Sequence, residues 1–469
     1  MFSFHALLTL CTETSSGGIK LVKYQLIQAI KNLDYNKLLH LFEKHEKLHE
    51  TKFETHNNGN LFHVFFSIPR FKPAENIFQL LIDKKVDFYY KDKFGNTALH
   101  LSVTQMDKCY LKKLLALENI NLAVTDNLLN TIFHIAVYAG GNDKYFSSLT
   151  GSGGAASSGS PAKDHKDEED KKKAQEGVGV PKLLAVPKHQ RKNRNRNAYD
   201  VMETLIEYLQ KQTKHKKELE KILLMRNADH YSCLDIACSS QAKIVSLLLD
   251  HLPSLSPTRE ERQIKTNETS SRIQIPMPRA VITDKYFYLP MYFAILNDRK
   301  DIMELLISKN KVFLTINTTD DASPLMTAAK HYSLEALEYL LEFDNIIDIH
   351  ETDTSGSNIL HILSYYPLSH APETKPLFFR VLRKVFDYGV DLKQPVNDIG
   401  FIPLHFAAFA NQPDTVEFFV NEYSSRDIPI SLTNIIKDNA LHIACKNLNF
   451  KMIKILVEAG YEDSFPNFC

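Results

Sequence analysis

The stretch NTALHLSV, residues 96–103, is the phrase on which the reading of this chain turns, because it returns again and again with the same order of residue types. NTIFHIAV (130–137), SNILHILS (357–364), FIPLHFAA (401–408) and DNALHIAC (438–445) are strong copies. GNLFHVFF (59–66), YSCLDIAC (231–238), YLPMYFAI (288–295) and ASPLMTAA (322–329) are weaker ones. With His100 as the marker position, its equivalents are His63, His134, Asp235, Tyr292, Met326, His361, His405 and His442. Their successive spacings are 37, 34, 101, 57, 34, 35, 44 and 37, a base period near 34 interrupted by insertions. Self-similarity at such a period is the signature of a repeat architecture, in which each unit buries its apolar face against its neighbours.

About ten residues after each phrase comes a second apolar segment, such as IFQLLI (77–82), KIVSLLL (243–249), DIMELLIS (301–308), FFRVLRKVF (378–386) or KMIKILVEAG (451–460). Apolar residues at i, i+3, i+4 and i+7 put one stripe on one helical face, so each repeat is predicted to be a helix pair. The phrase has a local logic of its own. Thr97, Ser323 and Asn358 stand where a side-chain oxygen caps the first helix. Pro290, Pro324 and Pro403 stand at the first helical position, where a missing N–H costs nothing. Gly95, Gly356 and Gly400 precede the phrase and suit a turn that needs positive φ.

These residues closely resemble the ankyrin-repeat pattern of a Gly, then Thr-Pro-Leu-His, a small-residue pair and a Leu-Leu helix. GFIPLHFAA (400–408) and DASPLMTAA (321–329) are the nearest copies, and the resemblance covers roughly residues 52–462 apart from insertions. It implies an all-α repeat solenoid of stacked helix-turn-helix units joined by β-hairpin turns. It also implies that the marker His hydrogen-bonds the backbone of a neighbouring turn. The chain departs from the pattern where the Gly after helix 1 is missing and where Asp235, Tyr292 and Met326 replace His. The domain reading is 1–51 tail and cap repeat, 52–140 repeats, 141–198 disordered low-complexity insertion, 199–251 repeats, 252–284 insertion or arm, and 285–469 repeats. No polar cap follows the last helix, which suits either the front part of a longer protein or an unusual ending.

The bulk composition narrows function. The 469 residues carry 56 Lys plus Arg and 56 Asp plus Glu, so no global field draws the chain to nucleic acid or anionic lipid. Cys11, Cys109, Cys233, Cys238, Cys445 and Cys469 are scattered without a Cys-x-x-Cys pair, which fits a reducing compartment. MFSFHALLTLC lacks the basic residues and cleavage site of a secretory signal, and no run of about 18 apolar residues occurs. The expected location is the cytoplasm, or the nucleus if the basic run described next is an import signal.

Motifs that suggest chemistry are weighed against plain structural roles. GSGGAA (151–156) fits a relaxed phosphate cradle but lacks a βαβ setting. Lys188, Arg191, Lys192, Arg194 and Arg196 form a basic patch, either an import or nucleic-acid element or a solvated linker. HEKLH (45–49) matches His-Glu-x-x-His, yet it sits at a helix end in a charged run with no third ligand. Cys233 and Cys238 read as buried small hydrophobes. Marker histidines one period apart stand roughly 10 Å from each other, too far to share zinc. No catalytic residue, metal, cofactor or small-molecule substrate is expected. Aromatics near hairpin tips and helix 1 ends, namely Phe94, Tyr138, Tyr231, Tyr365, Tyr366 and Phe409 with Tyr89 and Tyr90, are the candidate partner-binding residues. The resulting expectation is a non-catalytic scaffold or adaptor that binds a partner protein on a concave surface. The regulatory arm of a larger enzyme or channel, or an effector of an intracellular microbe, are the alternatives.

Overall fold

A computed structural model describes residues 15–45, 47–68, 74–106, 108–117, 120–140, 191–212, 216–252, 255, 289–317, 322–366, 368, 372–396 and 398–460. They divide into two compact units, Met1–Ala237 with Ser246–His251, and Cys238–Val245 with Leu252–Cys469. In the first unit the helices are α1 (Ser15–Lys31), α2 (Tyr35–Lys44), α3 (Leu61–Phe66), α4 (Glu75–Asp83), α5 (Ala98–Thr104) and α6 (Lys108–Leu115). There follow α7 (Ile132–Gly140), α8 (Arg191–Gln212), α9 (Lys216–Leu223) and α10 (Cys233–Ala237). Residues of α11 (Ala242–Asp250) are divided between the units. The second unit continues with α12 (Leu289–Leu296), α13 (Lys300–Lys309), α14 (Pro324–Lys330), α15 (Leu334–Leu340), α16 (Ile359–Leu363) and α17 (Lys375–Asp387). It closes with α18 (Pro403–Phe409), α19 (Pro413–Ser425), α20 (Ala440–Lys446) and α21 (Phe450–Glu458).

Every phrase whose backbone is described therefore starts a short first helix. First helices pack on first helices: α3 on α5 and α5 on α7 in one unit, α12 on α14, α14 on α16, α16 on α18 and α18 on α20 in the other. Second helices follow suit, with α15 on α17 and α19 on α21. The large side chains of the second helices, Phe78, Phe378, Phe386 and Phe419, are fully buried between the layers. Fully burying one such side chain contributes about 1.5–3 kcal/mol, which explains why repeats too small for a core of their own hold together when stacked.

The turns that precede the helices share a rule the phrase does not advertise. Eight residues before the marker stands Asp92, Asp126, Asn227, Asp353 or Asn434. Its side-chain oxygen accepts turn N–H groups, for example from Phe94 at 2.9 Å and Asn96 at 2.8 Å for Asp92, and from Leu128 and Asn130 at 2.8 Å each for Asp126. Five residues before the marker the backbone is left-handed: Asn58 (φ 58°), Gly95 (83°), Leu129 (59°), His230 (65°), Gly356 (79°), Gly400 (76°) and Lys437 (66°). At Gly95 a Cβ would also lie 2.5 Å from the Asn127 backbone nitrogen, so both conformation and space demand glycine there. The turn after the first helix is left-handed too, although it lacks the glycine expected there, at Met106, Asp298, Tyr332, Asn411 and Leu448.

Successive turns are tied tip to tip. Lys93 N donates to Asn57 O at 2.8 Å, Asn127 N to Phe94 O at 3.0 Å, Ala228 N to Leu128 O at 2.8 Å and Ile435 N to Ile399 O at 2.9 Å. The Ala228–Leu128 bond uses the same two turn positions as its neighbours although about a hundred residues separate the partners. The long insertion thus leaves the register of turns intact. Where β-hairpins were expected, the described residues hold isolated bridges, Phe53 with Gly59, Thr125 with Thr131 and Val396 with Phe401, and no named strand. The side-chain-bonded turns do the work of a ladder. Of the insertion expected over 141–198, those residues from Arg191 on belong to α8 and 141–190 lie outside the described residues. Most of the 252–284 segment lies outside them as well.

Leu129 pays the steric penalty of a left-handed β-carbon while its side chain is 52% exposed. Leu129→Gly is expected to raise stability by about 1 kcal/mol, read as a higher urea midpoint at unchanged m-value. A lower midpoint would show that the side chain contributes more than its exposure indicates.

Candidate partner-binding surface

The marker histidines are committed to structure. Nδ1 accepts the backbone N–H of the helix-capping residue three positions earlier: Asn60 and Thr131 at 3.1 Å for His63 and His134, Thr97 and Asn358 at 3.2 Å for His100 and His361, and Ile402 at 3.3 Å for His405. Nε2 faces a carbonyl of the following turn, Asn96 at 2.9 Å, Asn130 at 3.3 Å, Tyr231 at 2.9 Å, Gln394 at 3.0 Å and Leu432 at 3.0 Å. A carbonyl only accepts, so Nε2 carries the proton of the neutral ring. Nδ1 accepts the backbone N–H and also lies by Thr97 and Thr131 Oγ1, which can donate, in His100 and His134, and by Asn60 and Asn358 Oδ1 in His63 and His361. Burial holds the rings neutral: His100, His134 and His361 are pushed down to about 4 mainly by desolvation, and His63 and His405 are lowered for the same reason. Both nitrogens being occupied, these side chains have nothing left for a metal or a proton transfer. Among the described residues, no group of three or more His, Cys, Asp or Glu is placed to hold a metal ion.

Of the three non-His markers, Asp235 keeps the first of these links and the Met326 copy bonds both its helix start and the next turn through Ser323, while Tyr292 packs edge-on against His331 at 5.8 Å. Asp235 Oδ2 accepts Ser232 N at 2.7 Å, as Nδ1 does elsewhere, and meets Arg226 Nη1 at 2.8 Å. Burial raises its carboxyl to about 6, against the opposing pull of Arg226. In the Met326 copy, Ser323 Oγ accepts Met326 N at 3.1 Å and donates to the Glu351 carboxylate of the next turn.

The other motifs fall apart spatially. α2 ends at Lys44, His45 is extended at its C-terminus and His49 lies in a separate short turn, Leu48–Glu50, so the two histidines of HEKLH do not share a helix. GSGGAA and Lys188 lie outside the described residues, while Arg191, Lys192, Arg194 and Arg196 are on the first two turns of α8. Cys233 and Cys238 are buried, and desolvation pushes the Cys233 thiol up to about 12.

The candidate aromatics separate into three kinds. Phe94 is half-buried under the Lys93 ammonium, 4.8 Å from its ring centroid, and its carbonyl serves the next turn. Tyr138 and Tyr231 are half-buried and bonded into the stack, Tyr138 through its hydroxyl to Asn227 Nδ2 at 3.1 Å and Tyr231 through its carbonyl to His134. Tyr366 is 6% exposed, stacked on Phe378 at 4.8 Å with planes 17° apart and bonded to Thr374 Oγ1 at 2.7 Å. It belongs to the packing between helices and drops out of the candidate surface. Tyr365 and Phe409, each four residues after its marker, are 38% and 56% exposed.

Tyr365 and Phe409 do not stand alone. Phe406 lies 5.1 Å from Tyr365 and 5.6 Å from Phe401, and Phe409 lies 6.5 Å from Tyr365 and 6.1 Å from Phe401, all centroid to centroid. Beneath them His361 touches Phe406 at 5.4 Å and His405 touches Phe401 at 5.6 Å. Phe401 and Phe406 were not singled out from sequence; the signal was their spacing from the marker, four before and one after, which with Tyr365 gathers rings from two successive repeats. Ile399, Ile435 and Ile436, 40%, 69% and 61% exposed at neighbouring turn tips, were also missed because the tip positions show only once the turn is aligned on its Asp or Asn.

Residues 376–466 match a family model described as ankyrin repeats (3 copies), a span that includes α17 to α21, with the rings of Phe401, Phe406 and Phe409. No curated protein matches the chain. Among the described residues no helix is long and apolar enough to cross a membrane.

The buried histidines make stability fall in acid. Their folded values near 4 lie below the unfolded 6.5, so the unfolded chain binds more protons between those limits, and stability is lost as pH falls from 6.5 towards 4. Asp235, raised from 3.8 to about 6, works the other way over part of this window, as do Asp126 and Asp298, whose carboxyls burial also raises, while His63 and His405 add to the histidine side. Unfolding free energy is expected to drop on the order of 4 kcal/mol between pH 7 and 5 in urea titrations; a flat profile would mean the rings are charged or exposed.

Proposed function

We propose, from the premise that residues 376–466 are ankyrin repeats, that the chain is a non-catalytic protein-interaction scaffold whose helix pairs stack as a solenoid within each unit. Ankyrin repeats are in general protein-interaction modules, and of the polar groups most suggestive of chemistry, the marker histidines, five are spent on tying one repeat to the next. The observation that carries the reading is the exposure of Tyr365 and Phe409 at corresponding positions of successive repeats, over half-buried Phe401 and Phe406. Aromatic side chains offer large contact area at low entropic cost and dominate binding hot spots. The partner protein is proposed to seat on this ridge in the second unit. Phe94, Tyr138 and Tyr231, bonded into turns of the first unit, set the shape of the scaffold there.

The reading is tested by replacing Phe409 with a photo-crosslinking phenylalanine analogue in cells, beside the same replacement at Lys454, whose side chain is 75% exposed on α21. A protein crosslinked from position 409 and absent from 454 is expected. Phe409→Ala should then weaken binding of that purified protein about tenfold or more, the loss of a hot-spot residue. Identical crosslinks from both positions, or unchanged affinity, would remove the ridge from the binding surface.

A further inference from the structure

The rings of Tyr365, Phe406, Phe401 and Phe409 form a closed cycle in which each meets its two neighbours steeply, at 63°, 82°, 66° and 74° in turn. Phe406 packs edge-on at 5.1 and 5.6 Å, as aromatic pairs do in a core. Phe409 stands further off, 6.1 Å from Phe401 and 6.5 Å from Tyr365. Two rings at right angles around a shared cation about 4.5 Å from each centroid are about 6.4 Å apart, within cation–π reach. The pairs made by Phe409 match that spacing and the Phe406 pairs close the floor; the buried pairs Phe419–Tyr423 and Phe66–Tyr110 also stand at 6.5 Å, so it is exposure that sets this cluster apart. Packing alone would bury such a cluster, yet Phe409 is 56% and Tyr365 38% exposed.

We propose that this cycle is a cage for a cationic side chain, ammonium or guanidinium, presented by the bound protein. The inference rests on the reading of this ridge as the partner-binding surface and gives its ligand a chemistry. The ring faces supply the negative side of the aromatic quadrupole. The two imidazoles that support the cage, His361 and His405, are held neutral by burial, so they put no positive charge beneath it at neutral pH. The lysines at the position of Phe409 in nearby copies, Lys330 and Lys446, are already paired with carboxylates, Asp353 at 3.9 Å and Asp438.

Choline and 3,3-dimethylbutan-1-ol are suitable probes because they share a shape and differ in charge. Titrated against the full chain by ligand-observed NMR, choline is expected to bind about fivefold more tightly than the neutral alcohol. Phe409→Leu and Tyr365→Leu, which keep apolar bulk and remove the π face, should each erase that preference while far-UV circular dichroism stays unchanged. Equal affinity for the two probes, or a preference that survives both leucine variants, overturns the cage. If the preference is absent while crosslinking from position 409 persists, the cage falls and the partner-binding ridge stands. A preference lost in both variants with no crosslinked protein supports the cage and removes the ridge.

Discussion

One hydrogen-bonding pattern holds the repeats in order: a buried neutral imidazole that accepts the N–H at the start of its own helix and donates to a carbonyl of the next turn. Each such bond contributes a modest net amount, about 1 kcal/mol, but removing the ring would orphan two buried backbone groups at once, at about 1–3 kcal/mol each. Local helix start and stacking between repeats are therefore coupled through a single side chain. Two of the copies without His bond the helix start by different chemistry, and one of them, the Met326 copy, also reaches the next turn. Asp235 keeps the first link and recruits Arg226, and Ser323 reaches Glu351 in the Met326 copy. The acceptor at the helix start therefore need not be an imidazole.

The turns impose the second constraint. An Asp or Asn eight residues before the marker gathers the turn's N–H groups, and a left-handed residue three positions later reverses the chain. With turn-to-turn bonds such as Ala228 to Leu128 in place, a long segment can leave between the helices of one repeat without shifting the stack, since all its cost falls outside the register.

Much of this was legible in the sequence. The repeated His phrase and the second apolar segment announced helix pairs, and Thr97, Asn358 and Pro403 marked helix starts that the structure keeps. The left-handed turns were legible only where glycine filled them, at Gly95, Gly356 and Gly400; Leu129, Lys437 and Tyr332 adopt the same conformation under tertiary constraint and gave no local sign. The candidate surface was read less well. Tyr365 and Phe409 sit where spacing from the marker placed them, but adjacent Tyr366 turns the other way and stacks on Phe378, a difference of about one helical step that composition does not reveal. Phe401 and Phe406 became part of the surface only when two repeats were laid side by side. The surface is thus a product of stacking: the same bond from His361 to the Gln394 carbonyl that joins two repeats also brings their aromatic rings within contact.

The most direct test is the tautomer and titration of His100, His134 and His361, read by long-range proton–nitrogen NMR of the chain labelled with nitrogen-15 at histidine. Three neutral rings protonated at Nε2, still uncharged at pH 5, are the expected result. Rings protonated at Nδ1, or charging near the ordinary 6.5, would contradict the role of these histidines as the bond between repeats.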